Sequence, residues 1–166
     1  MKNIITLSPN FYLSEFTRSE TADRYGIDNF PDQDALDNLI ALCENVLQPL
    51  REHLDTPITI TSGYRSPELN TKLSGSSTSQ HLSGEAADIV VSGMSNTEVA
   101  DYIRNNLTFD QLIYEYPDPD TGEIDWIHVS YSSTYNRHES LIAVKKYHRK
   151  TYQTVYYPYT YDYFDK

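Results

Sequence analysis

Two short stretches, about 40 residues apart in the sequence, must meet in space if this chain is to form a metal site. The first contains His81, Gly84 and Asp88, and the second contains Asp125 and His128. Two imidazoles and one carboxylate suit a catalytic zinc, which keeps three protein ligands and leaves a fourth position for water. Gly84 allows the chain to turn between His81 and Asp88 where a side chain would interfere. The sequence therefore predicts a zinc site at His81, Asp88 and His128.

Asp125 is the candidate acid/base, because it lies three residues before His128. In a regular strand, Trp126, His128 and Ser130 would share one face, and Asp125 would point to the other face. Asp125 can reach the metal only if it precedes the strand or lies on a bulge. Glu115, on the strand expected to pair with this one, is the reserve candidate.

Two other interpretations of these residues remain open. A histidine on a strand or an aspartate at a strand start often has only a structural role, and short motifs have high false-positive rates. Ser79, His81 and Asp88 would alternatively form a serine triad. The sequence has no Gly-x-Ser-x-Gly turn, and these three residues lie too close together in sequence for triad geometry, so the triad is disfavoured.

Length and composition restrict the class of protein further. A chain of 166 residues fits one domain, and its single cysteine excludes an intramolecular disulfide. The net charge of −11 would repel phosphates, so we do not expect nucleic-acid binding. Residues 1–7 contain no long apolar run, which predicts neither a signal peptide nor a membrane span. We expect cytoplasmic synthesis without a signal peptide, so that any action outside the cell requires a separate route out.

The hydrophobic pattern predicts an α+β domain in which helices pack on a small antiparallel sheet. Apolar residues at three- and four-residue steps predict a helix that begins near Asp32 or Asp34 and is kinked at Pro49. A second helix is expected over about 95–106. The expected strands are 58–61, 86–91, 111–116 and 124–131, followed by β-prone runs at 141–147 and 151–157. We expect a single domain over 1–166, with its core at about 8–132 and a tyrosine-rich C-terminal extension at 133–166.

Seven of the fifteen tyrosines lie between residues 147 and 163, within the C-terminal extension. One interpretation is an edge strand followed by a tail that packs on the domain, because tyrosine favours strands. The other is a contact surface for glycan or for a protein partner, because tyrosine combines a flat apolar face with a hydroxyl. Four of these residues alternate, so an extended segment would place all four on one side: Tyr157, Tyr159, Tyr161 and Tyr163.

Three motifs in this chain resemble the zinc D-alanyl-D-alanine carboxypeptidase family. They are Ser62-Gly63-Tyr64-Arg65-Ser66, then Ser79-Gln80-His81-x-x-Gly84-x-Ala86-x-Asp88, then Asp125-x-x-His128. This family also includes D-Ala-D-Ala dipeptidases and the L-alanyl-D-glutamate endopeptidases of phage lysins, and it shares a fold with the hedgehog signalling domain. The similarity covers roughly residues 8–132, and the His-x-x-Gly-x-Ala-x-Asp block is its most specific part. The resemblance implies a hedgehog/DD-peptidase-like fold.

The resemblance also implies roles for individual residues. It implies that His81, Asp88 and His128 hold zinc and that Asp125 is the general base. It implies that Arg65 contacts the substrate carbonyl or stabilises the oxyanion. Four further residues are expected to contact the substrate: Tyr64, Ser79, Gln80 and Trp126.

The function implied by the resemblance is hydrolysis of a peptide bond in a peptidoglycan stem peptide by a zinc peptidase, of the carboxypeptidase or the endopeptidase type. Together with the expected lack of a signal peptide, it suggests a phage-associated enzyme that reaches the wall after holin release or as part of a particle. The alternative is a non-catalytic zinc-containing binding or virion structural module of the same fold. The presence of both Asp125 and Arg65 favours the enzyme.

Overall fold

The computed structural model describes residues 4–164 of the chain. Two predictions extend outside the described residues. The domain was predicted to span residues 1–166, and the N-terminal stretch that we expect to contain no signal peptide begins at residue 1. Within residues 4–164, no helix combines the length and the apolar character needed to cross a membrane.

The structure is an α+β domain with two sheets. β1 (Thr6–Ser8) pairs with β2 (Phe11–Tyr12), and the main sheet contains β3 (Thr59–Ser62), β4 (Ala86–Val90), β5 (Gln111–Pro117), β6 (Ile124–Ser130), β7 (Glu139–His148) and β8 (Thr151–Pro158). The strand order in the main sheet is β3-β4-β6-β5-β7-β8. The pairs are antiparallel except for β5 and β7, which are parallel. The α+β class is confirmed, but the main sheet is mixed and larger than the small antiparallel sheet predicted from the sequence.

The parallel pair forms because residues 131–138 fold back across the start of β5. Asp110 is buried directly before β5 and accepts hydrogen bonds from Arg137 Nε at 2.9 Å, from Arg137 Nη2 at 2.7 Å and from Gln80 Nε2 at 2.9 Å. The hydrogen bonds from Arg137 lower the pKa of Asp110 to about 2 against the effect of burial. Asp110 therefore anchors the loop so that β7 begins beside β5.

The chain contains six α-helices within the described residues, and the longest of them cover one face of the main sheet. They are α1 (Leu13–Thr17), α2 (Glu20–Tyr25), α3 (Gln33–Leu42), α4 (Gln48–Leu54), α5 (Pro67–Lys72) and α6 (Asn96–Asn106). α3, α4 and α6 pack on the sheet through one apolar core, which includes Leu39, Leu42, Leu50, Val99 and Ile103 from the helices and Ile89, Leu112, Ile127 and Val129 from the strands. The residues that alternate with these strand positions face the opposite side of the sheet.

A π-helical turn, Cys43–Leu47, separates α3 from α4 and interrupts the predicted long helix. Asp32 caps the beginning of α3 by accepting a hydrogen bond from the Ala35 backbone at 2.9 Å. Pro49 has no N–H and its ring would clash with the carbonyl four residues earlier in a regular helix. The wider turn directly before it relieves this conflict, as π-turns do at kinks. The predicted interruption near Pro49 is confirmed.

The C-terminal extension adds β7 and β8 to the main sheet, with β8 at its edge. The chain leaves β8 at Pro158 and forms a short 3₁₀-helix, Tyr161–Tyr163. The extended alternation predicted for the last tyrosines is therefore wrong. Tyr159 instead turns inward, and its ring lies 4.9 Å from that of Tyr114. The half-buried Tyr159 ring thus packs against the core where the chain has left the strand.

We predict that Gly84→Ala destabilises the protein much more than Gly93→Ala. Both glycines have a positive φ, +73° and +79°, which costs an alanine roughly 1–2 kcal/mol. A Cβ on Gly84 would also collide with the carbonyl oxygen of Ala35 in α3, whereas Gly93 has open space around it. Steric overlap of this kind adds about 1–3 kcal/mol. Urea unfolding measures both costs, and equal losses of stability would contradict the close approach of Gly84 to α3.

Candidate metal centre

Three potential metal ligands meet at the centre of the main sheet. Asp88 on β4 lies directly opposite His128 on β6, and His81 comes from the loop that precedes β4. One ligand atom from each residue lies within 4.8 Å of the others, and all three residues are buried. Of the predicted site residues, the structure therefore brings these three together.

The geometry of the three side chains fits a tetrahedral metal. The His81 Nδ1 atom lies 2.6 Å from the carbonyl oxygen of Gly63, which can only accept, so Nδ1 carries the hydrogen. The Nε2 atom of His81 is then free to bind a metal, and it lies 3.4 Å from Asp88 Oδ2. His128 Nδ1 lies 3.0 Å from Asp88 Oδ1. Ligand atoms bound to one tetrahedral zinc at roughly 2.1 Å are about 3.4 Å apart, close to these separations.

The Asp88 carboxylate is held in its charged form. Burial by itself raises the pKa of Asp88, but the two neighbouring histidines hold it well below its usual range, through the charge of His81 when its ring is protonated and through the hydrogen bond from His128. Arg65 Nη2 lies 3.4 Å from Asp88 Oδ2, and Arg65 Nε donates to Ser62 Oγ at 3.1 Å. Asp88 is thus an anion at neutral pH, as a zinc ligand must be.

An open cleft of about 610 Å³ lies above the three ligands. Arg65, Ser79, Gln80 and Trp126 line this cleft, as the sequence predicted. The cleft is also lined by Arg137 and Leu141, for which no role was predicted, and by Tyr156, one of the seven tyrosines between residues 147 and 163. A substrate bound in the cleft would contact these walls directly above the ligands.

Two predicted site residues lie elsewhere. Asp125 is exposed and does not line the cleft, because β6 pairs regularly with β5 and has no bulge that would turn Asp125 to the face of His128. Tyr64 packs in the hydrophobic core, 7% exposed, while the neighbouring Arg65 points into the cleft. The structure therefore does not support the predicted roles of Asp125 as base and of Tyr64 as a substrate contact.

Glu115, the reserve candidate from the sequence, lies in the cleft instead. It pairs with Trp126 across β5 and β6, two residues along the strands from His128, and so shares the cleft face with His128. Burial raises the pKa of Glu115 to about 7, with a further contribution from the charge of Asp88. The sequence signal is one acidic residue in the otherwise uncharged strand β5, Gln111–Pro117. Glu115 can therefore exchange a proton near neutral pH.

A buried His-Asp-His set at the floor of an open cleft, with a titratable carboxylate beside it, is the arrangement of a zinc hydrolase. The sequence profile of the Peptidase M15 family matches residues 9–130. The chain therefore belongs to the Peptidase M15 family. The zinc D-Ala-D-Ala carboxypeptidase of Streptomyces albus G is 34% identical over 85 residues, which are 51% of this chain and 32% of that protein.

The matched segment thus spans about a third of the length of this curated relative. The relative's name specifies zinc, and the donor set of His81, Asp88 and His128 is one that zinc accepts. The family, the relative and the donor set agree, and zinc is the cofactor.

We predict that His81→Ala and Asp88→Asn abolish zinc binding, whereas His148→Ala, at an exposed histidine outside the cleft, does not. Loss of a ligand should weaken zinc binding by more than the roughly 10- to 100-fold caused by loss of an outer partner. Equilibrium dialysis followed by metal analysis measures the zinc content, and circular dichroism checks that each variant is folded. Wild-type zinc content in both ligand variants would place the metal elsewhere.

Proposed function

We propose that this protein is a zinc peptidase that hydrolyses a peptide bond in a peptidoglycan stem peptide. The observation that carries the proposal is the cleft in which Glu115 and Arg65 lie beside His81, Asp88 and His128. The name of the Streptomyces relative, a D-Ala-D-Ala carboxypeptidase, supports a substrate of this class. The association with a phage and the release through a holin stay predictions from the sequence.

Zinc supplies a Lewis acid that activates water and polarises a carbonyl at neutral pH. We assign the proton transfers to Glu115. Its carboxylate would accept the proton of the attacking water and donate it to the leaving amine, because it lies in the cleft beside the three ligands. The Glu115 backbone lies about 7 Å along the strands from the row of ligands, a distance that a glutamate side chain can bridge.

Arg65 is suited to stabilise the charge that develops on the carbonyl oxygen. It lines the cleft, and its bonds to Ser62 and Asp88 fix the plane of the guanidinium. A donor held in place before the reaction stabilises a developing oxyanion without reorganisation. We propose that Ser79, Gln80 and Trp126 position the peptide in the cleft, because they line its walls.

The proposed reaction predicts defined products from purified sacculi. Zinc-loaded protein should release free D-alanine if it is a carboxypeptidase, or stem peptides and shortened stems if it is an endopeptidase. Mass spectrometry of the soluble and insoluble fractions distinguishes the two. The Asp88→Asn variant is the control for zinc dependence. A folded, zinc-loaded protein that produced no new fragment would contradict the proposed function and favour the non-catalytic alternative.

We predict that Glu115→Gln lowers kcat by about 10²- to 10⁴-fold, the usual contribution of a general acid or base. Zinc content should not change, because Glu115 is not among the three ligands. Asp125→Asn is the matched comparison, because it makes the same change from carboxylate to amide at the exposed position on β6. If Asp125→Asn lost turnover while Glu115→Gln kept it, Asp125 and not Glu115 would be the general acid/base.

A further inference from the structure

The hairpin of β7 and β8 extends well beyond the rest of the main sheet. β5 pairs with β7 only from Glu139 to Ala143, whereas β7 and β8 pair with each other as far as His148 and Thr151. Residues 144–155, called the ribbon below, therefore form a two-stranded projection, and residues 145–154 are all exposed. A two-stranded projection gains little stability of its own in water. The exposed side chains of the ribbon are therefore open to contact with a ligand.

One face of the ribbon is rich in aromatic side chains. Cross-strand pairing places Tyr147 opposite Tyr152 and Lys145 opposite Thr154, and strand alternation puts all four on the same face. The Tyr147 and Tyr152 rings lie 5.1 Å apart. Tyr156 lies on the same face at the root of the ribbon and lines the cleft. This cleft-side face therefore extends from the cleft wall to the tip of the ribbon.

Contacts from β5 and β6 join the cleft to this face. The Tyr116 ring packs edge-on against Trp126 in the cleft, with 5.3 Å between ring centroids. Lys145 Nζ lies 4.3 Å from the centroid of the Tyr116 ring, and the Tyr116 hydroxyl lies 2.9 Å from Thr154 Oγ1. Lys145 and Thr154 thus lie between two pairs of rings on this face, and the aromatic side chains along it are called the aromatic track: Trp126, Tyr116, Tyr156, Tyr152 and Tyr147.

The ribbon also differs in charge from the rest of the chain. It holds four of the 13 lysines and arginines, at positions 145, 146, 149 and 150, and the sequence has no aspartate or glutamate from Ser140 to Tyr161. The formal net charge of the whole chain is −11. Peptidoglycan carries carboxylates on its stem peptides, so most of this protein would be repelled by it. The ribbon is the part whose charge complements such a polymer.

We propose that the cleft-side face of the ribbon binds the glycan strand of polymeric peptidoglycan, so that a stem peptide attached to that strand enters the cleft. The inference rests on the proposed function. Tyrosine rings offer flat apolar faces for sugar rings and hydroxyls for their polar edges. Lys145 and the basic tip, Arg149 and Lys150, pair with carboxylates of neighbouring stems.

The test is co-sedimentation with purified sacculi on ice, using zinc-loaded protein and sacculi from which phosphate polymers have been removed with hydrofluoric acid. Tyr147→Ser/Tyr152→Ser should lower the affinity at least tenfold, because both rings of the track's outer end are lost. Lys145→Ala should weaken binding several-fold, whereas Lys146→Ala, the same change on the opposite face of β7, should have a much smaller effect. Melting temperature and zinc content check that each variant keeps the fold and the metal site.

Three results would overturn the inference. The first is wild-type affinity in the double tyrosine variant with unchanged zinc content. The second is binding of the wild-type protein only to sacculi that retain phosphate polymers. The third is tighter binding to single-stranded DNA than to sacculi, since basic and aromatic surfaces also bind that ligand. If the double tyrosine variant fails to fold, the affinities of Lys145→Ala and Lys146→Ala for sacculi test the inference instead. An equal loss of affinity in these two variants would overturn it.

The binding measurement does not depend on turnover, so it separates this inference from the proposed function. Tyrosine-dependent binding without any cleavage of sacculi would contradict the peptidase activity alone. Cleavage of soluble stem peptides together with tyrosine-independent binding to sacculi would contradict the role of the ribbon alone.

Discussion

The contact of the buried Asp88 carboxylate with two imidazoles and a guanidinium is the interaction on which the site depends. A buried charge is costly unless it is paired, and removal of one partner of a buried pair costs about 3–5 kcal/mol. The partners of Asp88 come from three separate parts of the chain: Arg65 after β3, His81 before β4, and His128 on β6. The loops and strands around the carboxylate must therefore form together, and the metal site is inseparable from the centre of the main sheet.

Backbone contacts set the orientation of these side chains. The Gly63 carbonyl fixes the His81 ring, and the Arg65 backbone N–H donates to the His81 carbonyl at 3.0 Å. Gly63 itself lies so close to α1 that a Cβ would come within 2.6 Å of Phe16 Cα. Gly84 lies equally close to α3, because a Cβ on it would collide with the backbone of Ala35. Close packing of helices on two glycines thus positions the metal-binding atoms, which explains why the motifs around His81 and Arg65 contain glycine.

Features that depend on local periodicity were predictable from the sequence, and features that depend on strand order were not. The candidate ligands, the strands of the main sheet and the interruption near Pro49 were predicted from spacing and residue type, whereas the short strands β1 and β2 were not. Strand alternation already placed Asp125 and His128 on opposite faces, but the choice of Glu115 required the pairing of β5 with β6. The parallel entry of β7 depends on the burial of Asp110, which no local pattern encodes.

The position of β5 explains how one sheet can join the metal centre to the ribbon. β5 pairs on one side with β6, which carries His128, and on the other with β7, which continues into the ribbon. In the row next to the ligands, Trp126, Glu115, Ala143 and Tyr156 follow one another across four strands. The opposite end of the cleft contains Arg137, whose charge is paired with Asp110 and Glu139. The two ends therefore differ in charge, and under the proposed function a carboxylate-bearing polymer would align with its chain towards the ribbon and its scissile bond between Glu115 and the ligands.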